Sequence, residues 1–360
     1  MDSQTLKIRD GIIMFKGKFS RNLLFDPVVS NTYFLENGDE LIIFDPSCGK
    51  KIAKRIETHI KRRHTEQMEW TKATIIAGHS HLDHANNFYL SDKIGASKIH
   101  IYVHECGFRD GKLMNQPGPF VENLVQESKK YYNFYKTFPV PYNLFMYIFV
   151  ALDSLSPVLA RKVFGLIGGI PFPAPVDGSV VPEPIKESDT HAINLNGIEV
   201  RGWNFGSFII LPTPGHTPCS ISLYWPEQKA LFISDADWIG NPVFMSASLR
   251  NSIGSLNTMK GLTEAGKVDL LLPAHGQVKE GTELVLRHLN LRIYLLETLR
   301  DEVLAAYRSF GEEKDIRKLT KVLTQESQLF STLKFVNYPR HVFFIHNIVG
   351  VCLKEEGILK

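Results

Sequence analysis

A chain of 360 residues with 44% hydrophobic and 22% charged side chains is composed like an ordinary folded protein, which excludes wholesale disorder and fibrous repeats; its length suits about two units or one decorated domain. The formal charge of +3 and pI near 8.5 are too slight a basic bias for a face that binds a nucleic-acid backbone. Four cysteines without CxxC spacing, Cys48, Cys106, Cys219 and Cys352, disfavour a disulfide framework or a cysteine zinc site and fit a reducing compartment.

Residues 1–19 alternate apolar and charged side chains and never build the apolar stretch of about 7 to 15 residues that a secretory signal needs. They read as a strand, and the protein as cytoplasmic. Residues 32–44, TYFLENGDELIIF, are two β-rich runs about Asn37 and Gly38, a pair that tolerates the positive φ of a tight hairpin. Ile52, Ile56 and Ile60 recur every four residues with charge between them, which predicts an amphipathic helix over 50–64. A strand, ATIIA, follows and ends at Gly78, and KIHIYVH at 98–104 predicts another.

The stretch 111–185 breaks this rhythm with clustered aromatics, YYNFYKTF and YNLFMYIF, and many prolines, and reads as a helical insertion. Pro141, Asp153 and Pro157 interrupt its most apolar part, whereas a spanning helix needs about 20 uninterrupted apolar residues, so no transmembrane segment is expected. Short β runs resume near residue 193 (INLNGIEVRGW, SFIILPT, SISLYW, KALFIS and Leu270 to Leu272), with a helix expected over 254–266. From residue 282 onward the chain reads as helical. Strands in meander order with interspersed helices predict a two-sheet α/β core covered by helices.

Within this frame HSHLDH, residues 79–84, crowds His79, His81, Asp83 and His84 behind an apolar strand. A chain leaving a strand there can turn two donors to one point and two to a second. Imidazole suits zinc and other first-row ions, and a carboxylate oxygen adds charge neutralisation. Four ligands do not complete two catalytic sites, so further donors are expected at later strand ends. FIILPTPGHTP supplies His216, KALFISDAD supplies Asp235, and DLLLPAHGQ supplies His275, each just past an apolar run. His104, His191 and His288 lack such a context and read as packed or surface residues.

The order HxHxDH, PGH, Asp after an apolar strand, then PAHG resembles the metallo-β-lactamase superfamily of binuclear metallohydrolases, over residues 31 to 110 and 190 to 280. The resemblance implies an αββα two-sheet sandwich with metals at one edge, made by residues 1–281, with 282–360 as a helical C-terminal extension. It implies that His79, His81 and His216 hold one ion, Asp83, His84 and His275 the other, and that Asp235, rather than its competitor Asp237, bridges them. Asp45, in FDPS, matches an early strand-end aspartate that orients a ligand. Ser234 stands where many members have Gly, Ala274 where they have a second Gly, and Trp238 where some lactone-cleaving members have a tyrosine, which weakens a lactonase reading.

The implied cofactors are two divalent ions, zinc first, with iron or manganese as alternatives. The implied activity is hydrolysis of an ester, lactone or thioester by a metal-bridging hydroxide, with Asp83 also orienting it and relaying a proton. The aromatic insertion, Tyr131 to Phe149, would wall a pocket for an apolar small-molecule substrate, or serve as a dimer or membrane-surface contact; a homodimer is compatible with the reading. Three alternatives remain: a nuclease or phosphodiesterase of the same superfamily, though no basic, aromatic-interleaved tract is present; an iron-dependent redox protein, though no flavin module is evident; and a non-catalytic binding protein.

Overall fold

The computed structural model describes residues 4–18, 29–67, 69–109, 112–114, 182–195, 197–238, 241–242, 244–312, 314–333 and 340–359, with isolated positions between 148 and 159. Two seven-stranded sheets form the body. The first contains β1 (Thr5–Arg9), β2 (Ile12–Phe15), β3 (Thr32–Asn37), β4 (Glu40–Phe44), β5 (Lys72–Ile76), β6 (Lys98–His104) and β9 (Glu183–Ile185). The second contains β10 (His191–Asn194), β11 (Glu199–Phe205), β12 (Phe208–Pro212), β13 (Ile221–Trp225), β14 (Ala230–Ser234), β15 (Leu270–Pro273) and β16 (Lys279–Glu280). A small hairpin, β7 (Phe108–Arg109) and β8 (Lys112–Leu113), stands apart.

Strand alternation builds the layers. Along β4, Ile42 and Phe44 face the other sheet while Leu41 and Ile43 face outward, and along β14, Ala230 and Phe232 face inward while Leu231 and Ile233 face outward. Such strands bury both faces, which is why they read as continuous apolar runs. The outward face of the first sheet takes Ile52, Ile56 and Ile60 of α1 (Lys50–Thr65) and Ile94 of the short α2 (Ser91–Ile94). The outward face of the second is covered by α3 (Leu249–Glu264), α4 (Thr282–Ser309), α5 (Ile316–Glu326), α6 (Gln328–Thr332) and α7 (Arg340–Glu355). The expected αββα sandwich with C-terminal helices is what the chain forms. Residues of the extension, such as Leu296 and Val349, share one apolar cluster with Leu231 and Leu271 of the sheet, so its helices complete the main core.

Several boundaries differ from those expected. The N-terminal strand is two, β1 and β2, because Gly11 turns at φ 73° and a side chain there would collide with the Glu36 carbonyl. The helix expected over 254–266 begins at Leu249, because Ser248 accepts the Asn251 N–H through its hydroxyl, a cap that starts the helix a turn earlier. β5 stops at Ile76: Ala77 N–H still reaches the Tyr102 carbonyl of β6, but the next amide, Gly78, leaves the ladder and donates to Asp45 Oδ1. Within the stretch assigned to an insertion, Glu183–Ile185 is the edge strand β9, parallel to β6. The aromatic residues of that stretch, from Tyr131 to Phe149, lie outside the described residues. Among the described residues no helix is long and apolar enough to cross a membrane, and the four cysteines are free thiols.

Candidate metal centre

Strand direction puts the site at one edge. β4 and β5 run parallel, β14 and β15 run parallel, and β12, two antiparallel steps from β14, shares its direction. Their carboxyl ends therefore open on one rim, where an α/β architecture places its ligand crevice. Asp45 follows β4, the HSHLDH segment follows β5, His216 follows β12, Asp235 follows β14 and His275 follows β15. The sheets are stitched there: Ile221 N–H donates to the Gly78 carbonyl at 2.8 Å, and the Tyr33 hydroxyl and Asn31 amide, from the first sheet, donate to the Pro273 carbonyl.

The seven sequence-derived donors converge. His79, His81 and His216 form one trio, Asp83, His84 and His275 another, and His79, His84 and Asp235 a third that links them, donor atoms lying within 4.8 Å of one another in each. Asp235 reaches both sides. Its Oδ2 lies 3.5 Å from His216 Nε2 and 3.3 Å from His84 Nε2, and its Oδ1 lies 3.5 Å from His275 Nε2. Asp83 Oδ2 stands 3.0 Å from His275 Nε2 and 3.4 Å from His84 Nε2. Asp237 instead turns away to pair with His288 Nε2 at 2.6 Å. His104 is buried against Glu187, and His191 sits on the surface beside Asn204.

Partners behind the donors fix their orientation. His216 Nδ1 lies 2.6 Å from Asn241 Oδ1, which can only accept, so Nδ1 carries the proton and Nε2 presents its lone pair to the cluster. Asn241 is itself held, its amide donating to the Asp235 carbonyl. Ser234 Oγ sits 3.2 Å from His79 Nδ1 and 3.3 Å from His84 Nδ1. Asp45 Oδ1 accepts the Gly78 N–H at 2.7 Å while Oδ2 stands 3.2 Å from His84 Nδ1. Phe244 packs edge-on over His81 and Trp238 edge-on over His216, with centroids at 4.8 and 5.6 Å, making an apolar rim.

Sequence reasoning missed Asn241 and Phe244, which lie in no motif. It took Ser234 only as a tolerated swap. The mark of Ser234 is in its backbone: it holds φ 48°, a left-handed conformation that favours glycine and is uncommon for other residues.

Electrostatics divides the cluster. Burial, reinforced by neighbouring imidazoles, holds His79 well below the usual histidine range and brings His81 down to about 3, and burial also lowers His216. Neutral imidazole is the ligating form. Burial would likewise depress His84 and His275, but the carboxylates outweigh it, Asp83 and Asp235 foremost, and raise both. Conversely burial would raise Asp83 and Asp235, yet the facing histidines hold both carboxyls low.

A divalent cation fits this donor set. Buried His79 Nε2, His84 Nε2 and Asp235 Oδ1 have no hydrogen-bond partner among the described residues, although buried polar atoms are nearly always satisfied. All three aim into the cluster, beside the carboxylates of Asp83 and Asp235. The arrangement defines an αββα protein with a donor cluster able to hold divalent cations. The chain belongs to the metallo-β-lactamase superfamily, whose family model matches residues 25–275. A search of curated protein sequences finds no match.

Among solved structures, the chain is similar to a metallo-β-lactamase family protein of Thermus thermophilus, at 18% identity and a TM-score of 0.53, covering 98% of this chain and 95% of that one. It is also similar to a stereoselective inverting sec-alkylsulfatase of Pseudomonas sp., at 13% identity and a TM-score of 0.54, covering 97% of this chain and 50% of the other. At these identities the likeness concerns the fold.

Proposed function

We propose that the chain is a binuclear metallohydrolase that cleaves an ester, lactone or thioester of a small apolar substrate. The observation that carries this reading is Asp235, whose two carboxylate oxygens reach donors of both trios. In this assignment His79, His81 and His216 would hold one cation, Asp83, His84 and His275 the other, and Asp235 would serve both. Zinc suits the imidazole-rich first trio best, with iron or manganese as alternatives. Bound there, a pair of divalent cations supplies Lewis acidity and a hydroxide nucleophile at neutral pH.

The chain's own contribution is orientation and proton handling. Asp83, with 22% of its side chain exposed against 6% for Asp235, is the carboxylate that meets incoming water. It is therefore the group to orient that water and take up its proton. Asp45, Ser234 and Asn241 hold His84, His79 and His216 by their Nδ1 sides, which spares these imidazoles a search among rotamers and tautomers. Phe244 and Trp238 exclude water from the His81 and His216 side of the cluster and offer an apolar surface to an acyl group. Residues 1–281 form the catalytic unit in this reading, with 282–360 appended to it.

The test is metal content together with turnover on p-nitrophenyl esters, lactones, thioesters, phosphodiesters and a secondary alkyl sulfate. His81→Ala and Asp83→Ala are expected to lose metal and activity together. Full turnover by metal-stripped protein overturns the assignment, and selective cleavage of the phosphodiester overturns the substrate class.

A further inference from the structure

The loop carrying Asp235 has a second face. Ala236, Asp237 and Trp238 line a cavity of about 60 Å³ between that loop and the helices α3 and α4. Leucines from these helices and the segment after them, Leu256, Leu296, Leu299 and Leu333 among them, make the walls, and the charged groups are Asp237 and Arg292. The two charges differ in standing. Asp237 is paired with His288 Nε2 at 2.6 Å, whereas the buried Nε of Arg292 has no hydrogen-bond partner among the described residues. A desolvated, unmatched guanidinium nitrogen beside an apolar cavity is costly unless an acceptor meets it.

From this cavity we infer a binding site for a short aliphatic anion, its carboxylate on Arg292 and its chain among the leucines. The guanidinium fork matches a carboxylate. At about 10–15 Å³ for each water-sized group, the volume holds roughly four to six heavy atoms, the size of butyrate. The site is separate from the metal donors but adjoins them through one side chain: Trp238 lines the cavity and packs its edge on His216. It stands whether or not the chain is a hydrolase, since none of the metal donors lines it.

The experiment is ligand-observed nuclear magnetic resonance on the full-length, metal-loaded chain with butyrate, and with butanol as its neutral counterpart. Butyrate is expected to bind in the millimolar range that so few atoms allow, and more tightly than butanol. Arg292→Met should weaken butyrate about ten- to a hundred-fold, the worth of one charged hydrogen-bonded pair, while leaving butanol nearly unchanged. Leu299→Trp, which fills the cavity and keeps the arginine, should abolish both and serves if the arginine variant fails to fold. Asp235→Asn should leave butyrate binding intact. Absence of binding, indifference to both cavity substitutions, or loss in Asp235→Asn, which would put the carboxylate on the metal centre, overturns the inference.

Discussion

Gly78 and Ser234 should be coupled, and the coupling tests how the two sheets are joined beneath the metal donors. A Cβ built on Gly78 meets the Ser234 Cβ and Oγ far inside contact distance and Asp45 Oδ1 at 3.0 Å. Gly78 is not at positive φ, so space alone excludes alanine. Gly78→Ala is therefore an overpacking change, expected to cost about 1–3 kcal/mol. Ser234→Gly removes a hydroxyl within reach of His79 and His84, at about 1 kcal/mol for each hydrogen bond. It also relieves a left-handed serine, which returns about 1 kcal/mol. Its net effect on stability should be within about 1 kcal/mol, while metal affinity falls about 10- to 100-fold as both imidazoles lose their support. In the double variant the new methyl group occupies the space the serine vacated, so most of the Gly78→Ala cost should vanish. The assay is a double-mutant cycle of urea unfolding on metal-loaded protein, with metal titration alongside. Additivity within about 0.5 kcal/mol would refute the packing argument, and unchanged metal affinity in Ser234→Gly would refute the orienting role.

Removing metal with a chelator should lower the unfolding temperature and re-addition should restore it, since a ligand held at about 100 times its Kd contributes about 2.7 kcal/mol; an unchanged melting curve would contradict a cation in the cluster. Asn241→Ala should leave the chain folded but weaken metal about 10- to 100-fold, because nothing then fixes the proton on His216 Nδ1; equilibrium dialysis reads this directly. His59 gives a pH test remote from the metal donors. Burial beneath Phe15 and Phe34, reinforced by the charges of Arg62 and Arg63, brings it from 6.5 to about 4. The unfolded chain takes up a proton that the fold refuses, so the stability that is complete above pH 6.5 is lost as the pH falls towards 4. At about pH 5 the unscreened loss is about 2 kcal/mol, and solvent screening of the neighbouring exposed charges brings it to about 1 kcal/mol. His59→Leu should abolish it; parallel stability curves for the two proteins would refute the attribution.

What was legible in the sequence was what repeats or clusters. Apolar runs that bury both faces announced the central strands, Ile52, Ile56 and Ile60 announced α1, and the spacing of HSHLDH together with donors behind later apolar runs announced the seven converging side chains. What escaped was set by single contacts. A serine hydroxyl moved the start of α3, a glycine collision split the first strand, and an asparagine far from every motif fixes a histidine tautomer. These leave no period in the sequence, because each depends on one partner brought near only by the completed fold.

The same distinction explains why Ser234 is informative. Serine at φ 48° is strained where glycine would not be, and the substitution survives because the hydroxyl lies within hydrogen-bonding reach of His79 Nδ1 and His84 Nδ1. Both imidazoles thereby present Nε2, the atoms left without partners, towards Asp235. Local backbone strain is thus offset by order in the donor cluster. That trade is worthwhile only if the position of those two nitrogens matters to something they bind, which makes the strained serine an argument for the cation site that is independent of the ligand motif itself.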